Sequence, residues 1–137
     1  FSFQRSHFAI FSAEYTHNCY YLTWLILIDS MSIYHEIEAQ DLFNMMAEQP
    51  LLLIDVRNDD EVARGIIPGA VHIPLAMLPV QYEPLTKIET IVFYCHSGVR
   101  SAHAAAFVTS KGCKNVYNLM GGVLAWGKAG YPLNAKN

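Results

Sequence analysis

The sequence predicts an α/β domain three layers deep, with helices on both faces of a central, mostly parallel sheet. Three observations carry this. Short continuous apolar runs, LLLIDV (51–56) and TIVFY (90–94), have the length and composition of strands buried on both faces. Polar and alanine-rich segments with helical character lie between such runs. Pro50, Pro68-Gly69, Gly112 and Gly121-Gly122 punctuate the chain between elements. Strands alternating with helices are the pattern of a parallel sheet.

Taken in order, SIYHEIEAQDLFNMMAEQP (32–50) carries apolar residues at Ile37, Leu42, Phe43, Met46 and Ala47. It reads as one amphipathic helix that stops before Pro50. LLLIDV is the first strand. NDDEVARG (58–65) is a polar helical turn closed by Gly65. In IIPGAVHIP (66–74), Pro68-Gly69 makes a turn ahead of a short strand over 70–73. LAMLPVQYEPL (75–85) holds two prolines and is expected to be irregular or briefly helical. TIVFY is the second clear strand. SAHAAAFVTSKG (101–112) is a helix with small residues on its packing side, stopped by Gly112. NVYNL (115–119) is a strand, and GGVLAWGKAGYPL (121–133) is a glycine turn, a short helix and a tail.

Residues 1–30 are set apart by their aromatic content and their lack of caps or turns. They are expected to be an extension, native or not, ahead of a domain spanning 31–137, with Met31 as a plausible natural start. An apolar helix packed on the domain is the second reading and a membrane anchor the third. The apolar run over 19–28 is shorter than the roughly 20 residues a spanning helix needs. A signal peptide is disfavoured, because little positive charge precedes the run and no small-residue cleavage site follows it.

The chain has 137 residues, 15% charged and 53% hydrophobic, with a net charge of −3 and no basic block. This is enough for one domain with a real core, and it argues against disorder and against a nucleic-acid surface. Cys19, Cys95 and Cys113 form no CxxC pair, and the six histidines form no HExxH. Neither a disulfide scaffold nor a metal site is expected, and a reducing, cytoplasmic compartment fits.

The chemistry concentrates in YCHSGVRS (94–101). Cys95 ends a predicted central strand, and the carboxyl ends of strands in α/β sheets are where sites collect. His96, Ser97, Gly98, Val99 and Arg100 form a tight loop entering a helix, whose first N–H groups lack intrahelical partners. Gly98 permits a backbone angle that other residues resist. Arg100 adds charge near the rim, where it could hold an anionic donor. Ser97 and Ser101 can bond loop backbone, Ser101 as a cap of the helix start. Converging N–H groups form an anion nest. A thiol at its centre ionises more readily and becomes a competent nucleophile.

Asp55 and Arg57, after the first strand, are read as a structural ion pair, with Glu61 as a further partner. The functional reading is that Asp55 supports the loop from behind. His72 and His103 are read as structural or surface residues, Cys113 as buried and structural, and His96 as a loop residue that either faces solvent or meets the donor. Trp126 and Tyr131 are read as packing, and Gly121-Gly122 as a turn bordering the pocket mouth.

These motifs together resemble the rhodanese-like domains, specifically the small single-domain sulfurtransferases. LLLIDVRNDDEVARGIIPGAVHIPL is similar to the family's first strand, its D-x-R element and its I-P-G-A-x-x-I-P segment. IVFYCHSGVRSAHAAAFVTSKGCKNVYNLMGGVLAW is similar to its active-site loop, helix and N-V-Y-x-L-x-G-G-x-x-A-W ending. The resemblance implies a persulfide carried on Cys95 and held by the amides of 96–100. It also implies a small sulfur donor such as thiosulfate, a cyanide or thiol acceptor that could be a protein thiol, and no metal or organic cofactor. The six residues from Cys95 to Arg100 match the sulfur-transferring members; related phosphatases and arsenate reductases have a loop one residue longer. Such an enzyme remains a lesser alternative, as does a binding or regulatory module that transfers nothing. Ile66 stands where the family usually has histidine, so nothing here rests on that histidine's hydrogen bond.

Overall fold

The computed structural model describes residues 33–135. The expectations for residues 1–30 and Met31 lie outside the described residues. Five strands form one sheet: β1 His35–Ile37, β2 Leu52–Asp55, β3 Val71–His72, β4 Ile91–Tyr94 and β5 Val116–Leu119. Their order is β1-β5-β4-β2-β3, and every pairing is parallel. The helices are α1 Ala39–Glu48, α2 Asp59–Val62, α3 Leu78–Gln81, α4 Val99–Ser110 and α5 Gly122–Lys128. Short 3-10 turns at Leu75–Met77 and Glu83–Lys87 flank α3, as the prolines there require. Among the described residues no helix is long and apolar enough to cross a membrane.

Period-two alternation along the strands sorts side chains into two cores. Leu53, Val92, Tyr94 and Leu119 pack on one face with Leu42 of α1 and Val123 and Trp126 of α5. Ile54, Ile91, Phe93, Cys95 and Val116 pack on the other with Ala104, Ala105 and Val108 of α4. The alanines of α4 let that helix lie close to the sheet. Full burial of a side chain such as Leu42 contributes about 1.5–3 kcal/mol.

The sequence reading misplaces one element. Residues 35–37 do not belong to the first helix. They form edge strand β1, beside Tyr117, Asn118 and Leu119 of β5, and the helix begins only at Ala39.

The strand order places the site. From β2 the chain crosses to β3 on one side; from β4 it crosses to β5 on the other. The carboxyl ends of β2 and β4 therefore flank a topological switch point, where an open α/β sheet leaves a crevice. Cys95 follows β4 there, and Arg57 and α2 follow β2.

Candidate active site

Cys95 lies one residue beyond β4 on the α4 face, with 1% of its surface exposed. The chain then turns through Gly98, whose φ of +105° is left-handed, and enters α4 at Val99. Gly98 is thus the N-cap. Ser101, expected to cap the helix, sits inside its first turn with its hydroxyl facing inward. Three donors converge on Cys95 Sγ: the amides of Gly98 (3.1 Å) and Ser101 (3.4 Å), and the Ser101 hydroxyl (3.4 Å). Burial alone would raise the thiol's pKa. The Ser101 hydroxyl and amide and the amides of Gly98 and Ser97 outweigh it, and the pKa is lowered. Ser101→Ala is expected to move the pH midpoint of Cys95 alkylation by iodoacetamide upward, and to lower the melting temperature because Asn118 Oδ1 loses its hydroxyl partner; an unmoved midpoint would remove the hydroxyl from thiolate stabilisation.

The loop is pinned from behind. The turn after β5 donates Val123 N–H to Cys95 O (2.8 Å) and Leu124 N–H to His96 O (3.2 Å). Gly122, at φ +58°, passes so close that a Cβ there would lie 2.4 Å from both of those carbonyl oxygens. Neither backbone can yield without moving the nucleophile. Gly122→Ala is therefore expected to displace the loop, slowing Cys95 alkylation at neutral pH by roughly tenfold or more, since a sub-van-der-Waals backbone contact must be relieved. Wild-type reactivity in that variant would show the loop to be independent of the turn.

Of the remaining loop residues, His96 and Ser97 face solvent, as does Val99. Arg100 is not free at the rim. Its Nη1 and Nη2 donate to Glu61 Oε1 (2.7 Å) and Oε2 (2.8 Å), a bidentate pair. Glu61 closes a capping box on α2, where Oε1 also accepts the Asn58 amide (3.0 Å). The Arg100 bond, above all, holds the Glu61 carboxyl at a pKa of about 2, against the opposing effect of burial.

Asp55 and Arg57 are both buried and bonded to each other. The guanidinium donates to both carboxylate oxygens at 2.7–3.0 Å, and the Arg57 amide adds a bond of 2.9 Å. Arg57 also donates to Gly65 O (2.6 Å), and its own carbonyl bonds His72 Nε2 (2.7 Å). These bonds brace the 65–72 segment, not residues 96–101. Glu61, expected beside Arg57, is instead the partner of Arg100.

Sequence reasoning missed Asn118. Its amide Nδ2 donates to Glu36 Oε1 (2.9 Å) and Gly98 O (3.2 Å), which turns Oδ1 toward Ser101 Oγ, so that the one hydroxyl hydrogen is shared between Asn118 Oδ1 and Cys95 Sγ. The signal was present: a polar residue in NVYNL, at a position that alternation places on the α4 face. Cys113 is buried, its Sγ 3.6 Å from Leu85 O, and burial pushes its pKa up.

The profile of the rhodanese-like domain matches residues 38–129, which holds β2 to β5, the cysteine loop and α5. The chain belongs to the rhodanese-like domain family. It is 36% identical over 102 residues to a sulfurtransferase of Allochromatium vinosum, covering 74% of this chain and 95% of that one. It is 29% identical over 105 residues to the thiosulfate sulfurtransferase GlpE of Coxiella burnetii, covering 77% and 97%. The rhodanese-like domain protein of Staphylococcus aureus superposes with a TM-score of 0.66 at 33% identity, covering 75% of this chain and 99% of that one. Among the described residues of this rhodanese-like domain, then, the loop after β4 carries the one thiol that is both buried and surrounded by converging donors.

Proposed function

We propose that this rhodanese-like domain is a sulfurtransferase that carries sulfane sulfur as a persulfide on Cys95. The observation that carries the reading is the convergence of two backbone amides and one hydroxyl on Cys95 Sγ at the sheet's switch point. The kinship with named sulfurtransferases supports it.

The Cys95 thiolate attacks the outer sulfur of a donor such as thiosulfate. A new S–S bond forms to Cys95, the donor's S–S bond breaks, and sulfite leaves with the bonding electron pair. The terminal persulfide sulfur bears the negative charge that the thiolate brought, and the donors of the nest stabilise it there. A thiophilic acceptor, cyanide or a thiol that includes a protein thiol, then attacks the outer sulfur and returns the thiolate. Electrons balance between donor and acceptor, so the cycle calls for no metal or organic cofactor. A reducing compartment such as the cytoplasm keeps Cys95 available between turnovers.

The test is the intact mass of the protein after incubation with thiosulfate, and again after cyanide. Gain of one sulfur atom and its loss as thiocyanate support the proposal. Failure to take up sulfur from thiosulfate, mercaptopyruvate and an organic persulfide alike would leave a binding module in its place.

A further inference from the structure

The charges around the cradle cancel. Arg100, the loop's cation, is held at both Nη atoms by Glu61. Arg57, the next cation along the crevice, is neutralised by Asp55. On the open side, Glu36 lines the depression beside the loop together with Ser97, Gly98, Val99 and His103. Among the described residues, an arriving anion meets oriented N–H groups there but no uncompensated arginine. Backbone donors recognise a sulfur or oxygen atom at short range. A net charge is what would draw a doubly charged ion out of water and repay its desolvation.

We infer that Glu61 is a specificity-determining residue, cancelling the charge of Arg100 so that Cys95 takes sulfur from weakly charged sulfane donors, such as organic persulfides and thiosulfonates, in preference to dianionic thiosulfate. This rests on the sulfurtransferase reading and names its donor class. Glu61 touches no donor and acts through Arg100. Both donor types deliver their outer sulfur in the same way. With a thiosulfonate, the S–S bond breaks and a sulfinate leaves with the electron pair, in place of sulfite.

The experiment compares wild type with Glu61→Gln, using thiosulfate and methanethiosulfonate as donors and cyanide as acceptor. Coulomb energy scales with the donor's charge, so the KM for the dianion is expected to fall roughly tenfold and that for the monoanion about threefold, with kcat little changed. A purely structural Glu61 would give the opposite: both KM values unchanged or raised by the same factor. That result would overturn the inference.

Two further measurements separate the possible failures. Sulfate is an unreactive dianion, and the concentration that halves iodoacetamide modification of Cys95 is expected to fall about tenfold in Glu61→Gln. If wild type takes sulfur from neither of these donors, nor from mercaptopyruvate or an organic persulfide, the sulfurtransferase reading fails, while sulfate protection still decides the role of Glu61. If Glu61→Gln does not fold, the wild-type enzyme decides it. The KM for thiosulfate should change less than about twofold between roughly 0.02 M and 0.2 M salt, whereas a steep rise would reveal an uncancelled arginine.

Discussion

Replacing Cys95 with serine is expected to abolish sulfur uptake while leaving the domain folded. Serine is slightly smaller than cysteine, and its hydroxyl can accept the same amide bonds from Gly98 and Ser101. An alcohol does not ionise near neutral pH and cannot form a persulfide. Removal of a sole nucleophile costs at least ~10⁴-fold in rate, so uptake should fall below detection by intact mass. Cys113→Ser is the paired control. Cys113 is buried, its pKa is raised, and its Sγ lies near only one carbonyl, so that variant should load sulfur as wild type does. Equal behaviour of the two variants would mean that the nucleophile is misassigned.

The largest expected loss of stability comes from Arg57→Met. Asp55 is fully buried, and four of its contacts run to Arg57, one of them to the backbone amide that the substitution retains. Burial by itself would lower the Arg57 pKa; the Asp55 carboxylate outweighs it and raises the pKa, which marks the coupling of the two charges. Methionine fills much of the space but leaves a carboxylate in the core without its cation. Breaking a buried pair from one side costs about 3–5 kcal/mol, readable as a lower urea midpoint. The double variant Asp55→Asn/Arg57→Met, which removes both charges, should recover a large part of that loss. If the single variant unfolds at the wild-type midpoint, the pair is not what holds the 65–72 segment to β2.

Much of this was legible in the chain because the strongest signals were local. Apolar runs bounded by proline and glycine located β2 and β4, and the Cys-to-Arg spacing ahead of an alanine-rich segment located the loop. β1 was not legible. Three residues are too few to display a period of two, and Ile37 falls in step with the helix that follows. Only its pairing with β5 identifies it as a strand. Ser101 was misjudged by one turn, because Gly98 starts the helix early and draws its first amides into the nest. The partnership of Glu61 with Arg100 joins residues 39 positions apart. Locally, Glu61 announced itself only as the fourth member of an Asn-x-x-Glu capping box, a role it also fills.

The sheet order also bears on how the protein is made. β2, β3 and β4 can pair as they leave the ribosome, but β1 has no partner until β5 has been synthesised, some 80 positions later. The same late segment supplies Asn118, which holds Ser101 and Gly98, and the turn that fixes the carbonyls of Cys95 and His96. A nascent chain that has just exposed Cys95 therefore lacks the contacts that fix its loop in place. The cradle is complete only once β5 lies between β1 and β4, so its final geometry depends on the last strand to be synthesised.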